Sequence, residues 1–130
     1  MSDRKRGEVT ALIVDDDEDM RLLLRGFLAR AGLEVVEEAV DGPQALEVFD
    51  RLDPPPIPTV IVLDNLMPTM SGLDVAKMVL RRLPEQRIVL FSAHLSREIE
   101  DQAAKLGISA CLAKTDIRRL ADVINSLVAA

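Results

Sequence analysis

The feature that most constrains this chain is a change of hydrophobic period, repeated along its length. Short, almost wholly apolar runs alternate with stretches whose apolar residues recur every three or four positions. The runs lie at about 9–14, 59–63 and 87–91, with Ala11-Leu12-Ile13-Val14, Val60-Ile61-Val62-Leu63 and Ile88-Val89-Leu90-Phe91 at their centres. Apolar on both faces, such runs read as parallel strands covered by helices on either side. Glu34-Val35-Val36-Glu37-Glu38-Ala39 and Ser109-Ala110-Cys111-Leu112-Ala113 are more polar or weaker, which assigns them to strands at or near the sheet edges.

Helical stripes fill the intervals. Met20, Leu23, Leu24, Phe27, Leu28 and Ala31 recur at i, i+3, i+4, i+7, i+8 and i+11, the spacing of one apolar helix face, and Gly32 supplies the stop. Asp41 caps a second helix with Pro43 in its first turn and Ala45, Phe49 and Leu52 facing inward. Ser71-Gly72-Leu73-Asp74 has the form of a capping box, with Asp for the usual Glu, ahead of the stripe Leu73, Ala76, Val79, Leu80 and Leu83. A fourth helix runs from about Ser96 to Leu106, ended by Gly107. The fifth, from about Asp116, is expected to bury Ile117, Leu120, Ala121, Ile124, Leu127 and Val128. Pro54-Pro55-Pro56 and Pro58 predict a stiff, extended connector. Five strands and five helices in strict alternation predict an α/β fold, a (βα)5 doubly wound five-stranded parallel sheet with right-handed crossovers. A length of 130 residues fits one domain, taken as 9–130 behind an extension at 1–8.

Composition then removes several function classes. With 16 basic and 22 acidic residues the formal charge is -6, whereas general binding to a phosphate backbone requires a basic surface. No direct nucleic-acid partner is expected. The apolar runs are four residues long, far short of the roughly 20 that span a bilayer, so membrane insertion is not expected. Arg4, Lys5 and Arg6 precede only four apolar residues and then five consecutive acids, which is not a signal peptide's apolar segment. A single cysteine, Cys111, allows no internal disulfide and fits a reducing compartment; the expected location is the cytoplasm. Charge is also uneven: residues 1–80 hold 8 basic and 16 acidic residues, residues 81–130 hold 8 and 6. Something in the first part of the chain favours negative charge.

In an open parallel sheet, sites form at the carboxyl ends of the strands. Strand one ends in Asp15-Asp16, strand three in Asp64, strand four in Ser92 and strand five in Lys114. Three carboxylates, a hydroxyl and an ammonium are therefore expected at one rim. Crowded carboxylates repel one another and raise each other's pKa unless a cation sits among them. Mg²⁺, which takes oxygen ligands and keeps several waters, answers that need, with Mn²⁺ as an alternative. A lysine that neutralises phosphoryl oxygens and a serine that hydrogen-bonds them suit the rim to phosphoryl transfer, with one carboxylate as nucleophile.

These residues carry a family resemblance: over about Thr10 to Val128 the sequence resembles a receiver domain of a bacterial two-component response regulator. The matching elements are Leu12-Ile13-Val14-Asp15-Asp16, Val62-Leu63-Asp64-Asn65-Leu66-Met67-Pro68 with Gly72 four residues past the proline, Phe91-Ser92-Ala93, and Lys114. The resemblance implies a flavodoxin-like strand order 2-1-3-4-5. It implies that Asp64 takes a phosphoryl group from a sensor histidine kinase or a histidine phosphotransfer protein, and that Asp16 and Asp64 ligate Mg²⁺ directly. Asp15 would act through a water, and the Leu66 backbone carbonyl would complete the protein ligands. Ser92 corresponds to the hydroxyl that moves toward the phosphoryl group, and Lys114 to the phosphate-pairing lysine. The protein is then a signalling switch with self-catalysed aspartyl phosphorylation and dephosphorylation, not a turnover enzyme. The surface around helix 4, strand 5 and helix 5 would control an output domain or a homodimer partner. The alternative is a degenerate receiver that works as a phosphorylation-independent interaction scaffold.

Plainer assignments stand beside these. Asp17, Glu18 and Asp19 suit a solvated helix start, where acids complement the helix dipole. Asp15, Asp17 and Asp19 match the first positions of an EF-hand loop, but Met20 and Gly26 stand where glycine and glutamate are required. The Asp-x-Asp strand end of haloacid-dehalogenase-type phosphatases needs a later acidic pair that Phe91-Ser92-Ala93-His94 does not offer. His94 follows Ser92 by two residues and reads as a loop residue or a modulator of water access, with the apolar Leu66 in the companion position after Asp64. The chain departs from the family in two places. Cys111 stands where many receivers carry the aromatic residue that reports on the phosphoryl group, and Thr115, not proline, follows Lys114.

Overall fold

The three apolar runs become the centre of the sheet. In the computed structural model, which describes residues 9–52 and 58–129, they form β1 (Thr10–Val14), β3 (Val60–Leu63) and β4 (Arg87–Ser92). The more polar β2 (Glu34–Ala39) and the short β5 (Ala110–Ala113) take the edges, as their composition requires. The order is β2-β1-β3-β4-β5 and every pairing is parallel, which is the flavodoxin-like arrangement. The extension at 1–8 and the prolines at 54–56 lie outside the described residues. Between β1 and β2 the register slips after Ala11, which faces Val35 while Leu12 faces Glu37. That slip belongs to an edge strand whose Glu38 turns out to pair with arginines of the first helix.

Helices α1 (Glu18–Arg30), α2 (Gly42–Arg51), α3 (Gly72–Arg82), α4 (Arg97–Leu106) and α5 (Leu120–Ala129) follow the strands in turn. Alternate strand residues feed two cores. Leu12, Val14, Ile61, Leu63, Ile88 and Leu90 pack with α2, α3 and α4, while Ala11, Ile13, Val60, Val62, Val89 and Phe91 pack with α1 and α5. The two caps read from sequence are present: Asp41 accepts from Gln44 N at 2.9 Å, and Ser71 and Asp74 form a reciprocal capping box. Ser96, read only as the approximate start of the fourth helix, is its N-cap and accepts from Ile99 N at 3.1 Å. Gly32 and Gly107 end α1 and α4 in the left-handed region that glycine enters without steric cost. Among the described residues no helix is long and apolar enough to cross a membrane.

Two expectations need correction. The stripe read for the first helix is too wide, because α1 buries only Leu24 and Leu28, while Leu23 and Ala31 are exposed. Leu22, Leu23 and Leu24 are consecutive and span some 200° of helix arc, so they cannot all face one sheet. The last helix starts at Leu120 and not near Asp116: the chain leaves β5 through a 3-10 segment, Lys114–Arg119, kinked at Asp116 (φ -102°, ψ 29°). Of its expected inner residues Leu120 and Ile124 are buried, and Ile117, Ala121, Leu127 and Val128 are partly so.

Candidate functional site

Parallel strands end together, so whatever follows β1, β3, β4 and β5 is gathered along one rim. Asp15 follows β1 and is anchored there by its amide, which donates to Ala39 O at 3.1 Å; the Asp64 amide likewise donates to Val14 O at 2.9 Å. Backbone ladder bonds thus extend one residue past each strand and fix both aspartates in depth. Asp15 and Asp64 are 1% and 4% exposed, whereas Asp16 is exposed. Carboxylate oxygens of Asp15, Asp16 and Asp64 lie within 4.8 Å of one another, a spacing that one cation could bridge. Lys114 reaches across from the end of β5, with Nζ 2.7 Å from Asp15 Oδ2 and 3.2 Å from Asp64 Oδ2. Four of the expected site residues, Asp15, Asp16, Asp64 and Lys114, are therefore brought together.

The electrostatics follow from this crowding. Burial pushes the Asp64 carboxyl above its ordinary value, and the neighbouring Asp15 charge pushes it further; Lys114 and the Leu66 amide pull the other way without prevailing. Burial alone would lower the Lys114 pKa, but the two carboxylates beside it outweigh that and hold the ammonium charged beyond its usual range. A single cation thus serves two buried anions, with the exposed Asp16 as a third acid at the mouth. All the donors are hard oxygens, and their mutual repulsion falls when a divalent ion enters, so the set fits Mg²⁺ or Mn²⁺.

Ser92 and His94 make no hydrogen bond to this cluster among the described residues, whereas Leu66 touches it through its amide. Ser92 is fully buried at the end of β4, and its Oγ accepts a long contact from His94 N at 3.5 Å. Leu66 is 54% exposed, and its amide donates to Asp64 Oδ1 at 3.4 Å. His94 is exposed. Asp17 caps α1, accepting from Asp19 N at 3.0 Å, and Glu18 and Asp19 occupy the first turn. Cys111 is half-buried beside the α3–α4 core, and burial, then Glu100, raises its thiol pKa, which disfavours a reactive thiolate.

The supporting roles of three residues escaped the sequence reading, although Asn65 and Gly72 belong to the motif it quoted. Arg21 Nη1 donates to Asp15 O at 2.8 Å while its Nε pairs with Glu38 at 3.3 Å, tying the first helix to the rim. Asn65 is buried, accepts from Leu73 N at 3.1 Å through Oδ1, and receives Gly72 N at its carbonyl at 3.0 Å. Gly72 itself packs so closely that a Cβ there would lie 2.3 Å from Asp64 O. The motif could have exposed this last role, since a glycine opening a helix is not needed for capping. Nothing in the sequence pattern marks Arg21.

Comparison with known proteins agrees with the geometry. The profile of the response regulator receiver domain matches residues 11–125. The chemotaxis protein CheY of Thermotoga maritima is 34% identical over 96 residues, covering 74% of this chain and 77% of the relative. A protein-glutamate methylesterase/protein-glutamine glutaminase of Geobacter metallireducens is 40% identical over 91 residues, 69% of this chain but only 25% of that longer protein. Among solved structures, the response regulator domain of Thermotoga maritima CheB superposes with a TM-score of 0.79 at 25% identity, covering 95% of this chain and 96% of that one.

Proposed function

The chain belongs to the response regulator receiver domain family, and from that premise we propose that Asp64 is the phosphoryl acceptor of a two-component signalling switch. The observation that carries the reading is the buried Asp15–Asp64 pair held under one lysine beside Asp16. An Asp64 carboxylate oxygen attacks the phosphorus of a phosphohistidine on a sensor histidine kinase or histidine phosphotransfer protein. The P–N bond breaks, the imidazole leaves with its electron pair and takes up a proton, and an acyl phosphate forms. Water later displaces phosphate and restores the carboxylate.

Receiver domains bind Mg²⁺ at such an acidic cluster; here Asp16 and Asp64 would hold it directly, Asp15 through a water and Leu66 through its carbonyl. The ion offsets charge on the phosphoryl oxygens. Lys114 pairs with a phosphoryl oxygen, and releasing it from Asp64 is the first consequence of neutralising that carboxylate. Ser92 hydrogen-bonds the phosphoryl group once β4's end shifts toward it. A half-buried cysteine at position 111 is too small to swing between pocket and surface, so the signal leaves chiefly through the loop from Ala93 to Ser96 into α4. The receiving surface is the α4–β5–α5 face. Its mixed charges, Arg97, Lys105 and Arg118 beside Glu98, Asp101 and Asp122, suit a polar partner such as an output domain.

Incubation with a small phosphodonor and Mg²⁺, read by intact mass, tests the reading. We expect a gain of about 80 Da, one phosphoryl group on the nucleophile, that is absent when the metal is chelated. No gain under any donor would favour the phosphorylation-independent scaffold instead.

A further inference from the structure

Helix α1 carries an outward stripe that its own fold does not explain. Asp19, Leu22, Leu23, Gly26, Phe27 and Arg30 line a groove of about 310 Å³, on the side of the helix away from the buried Leu24 and Leu28. Leu22 and Leu23 are 66% and 46% exposed, Leu22 being the most exposed large apolar residue among those described. Phe27 belongs to neither core cluster. Gly26 is the stranger residue. A Cβ built on it meets nothing within 4 Å, so the protomer has no need of glycine there, and glycine in a helix interior weakens the helix. What a bare backbone permits is close approach by another chain.

The stripe also has an internal symmetry. About the point between Leu24 and Arg25, Asp19 is the mirror position of Arg30, Leu22 of Phe27, and Leu23 of Gly26. A second helix of the same sequence, laid antiparallel across the first, would bring each member opposite its complement: acid against base at both ends, leucine against phenylalanine, leucine over glycine. Such self-complementarity is what a two-fold interface requires. The end charges are free to take part, because among the described residues neither Asp19 nor Arg30 has an ion-pair partner, Glu38 having taken Arg21 and Arg25. A second copy of this chain would therefore meet the groove with the opposite sign of charge at each end and an apolar residue or glycine between.

We propose that α1 is a self-association surface, on which two copies of this chain pair through antiparallel α1 helices about a two-fold axis near Leu24 and Arg25. Leu23 of each protomer then sits over the partner's Gly26, and Asp19 faces the partner's Arg30. The proposal is independent of Asp64 chemistry and of the α4–β5–α5 face.

Sedimentation velocity over a wide concentration series tests it. Wild type should dimerise reversibly. Asp19→Arg and Arg30→Asp should each weaken association roughly tenfold or more, because like charges then meet at both ends of the interface. An equimolar mixture of the two variants should recover dimers, since each now offers the charge the other lacks. Gly26→Ala should raise the melting temperature of the monomer and still weaken the dimer, a pair of effects that a merely structural glycine would not give. A wild type monomeric at every concentration overturns the proposal and leaves the groove to a different protein. So does a dimer that these changes leave intact but that Arg118→Glu abolishes, or a mixture that fails to recover.

Discussion

Within a single residue along β1 the chemistry of the sheet reverses. Val14 is the last of a strand that is buried throughout and wholly apolar after Thr10; Asp15, equally buried, begins a rim of like charges under one lysine. The body of the sheet, packed on both faces, gains stability from every residue it covers. The rim spends some of it, because carboxylates anchored by ladder bonds at Val14 and Ala39 cannot move apart. Burial and Asp15 hold the Asp64 pKa up for that reason. The lesson is that reactivity at the rim is supported by rigidity in the body, and the two should respond oppositely to substitution.

Leu12→Ala strikes the body and should have the largest effect, a loss of about 2–5 kcal/mol from removing a buried side chain and leaving a cavity. Urea denaturation would show it, while phosphoryl labelling below the midpoint should persist. A body substitution that abolished labelling in the folded protein would break the comparison.

Gly72→Ala tests the seam between the regions. The added carbon must displace the Asp64 carbonyl it would overlap, so we expect a loss of about 1–3 kcal/mol from overpacking. Here labelling should slow as well, because the shifted backbone carries the nucleophile. Stability lost with the labelling rate unchanged would mean that the strain relaxes away from Asp64.

Rim substitutions should run the other way. Because the folded protein holds the Asp64 pKa above its ordinary value, the fold favours the protonated acid. That contribution is present below the ordinary carboxylate pKa and is lost as pH rises through the higher, folded value. Metal-free Asp64→Asn should therefore melt above wild type at neutral pH, and the difference should close on acidification. A variant that melted lower at neutral pH would show that Lys114 pairing outweighs burial. Asp16→Ala should have the smallest effect on the metal-free protein, unchanged or slightly raised stability within about 0.5 kcal/mol for an exposed position. Calorimetric titration should nevertheless find its Mg²⁺ binding gone.

Much of this was legible in the sequence because both signals are local. Period separates strands from helices, and the polar residue that ends each apolar run marks the rim, which is how Asp15, Asp64 and Lys114 could be read before their spacing was known. Strand order came from the resemblance, with edge polarity in Glu37 and Glu38 consistent with it. What escaped depended on how elements lie against each other. Three consecutive leucines in α1 cannot report which of them faces the sheet. The 3-10 passage from Lys114 to Arg119 interrupts a pattern that periodicity alone extends through Ile117. Arg21 reaches Asp15 because a helix crosses the rim at a particular height, and Gly72 matters because a carbonyl distant by eight residues approaches it.

The central claim is that one rim carboxylate, Asp64, is the nucleophile. Site mapping of the phosphorylated protein tests it most directly: protein labelled with a small phosphodonor and Mg²⁺ is digested, and the modified peptide is sequenced by mass spectrometry. The account predicts the added phosphoryl group on Asp64 alone and unlabelled Asp64→Asn. A phosphoryl group found on Asp16 or Asp15, or labelling that survives in Asp64→Asn, would contradict it.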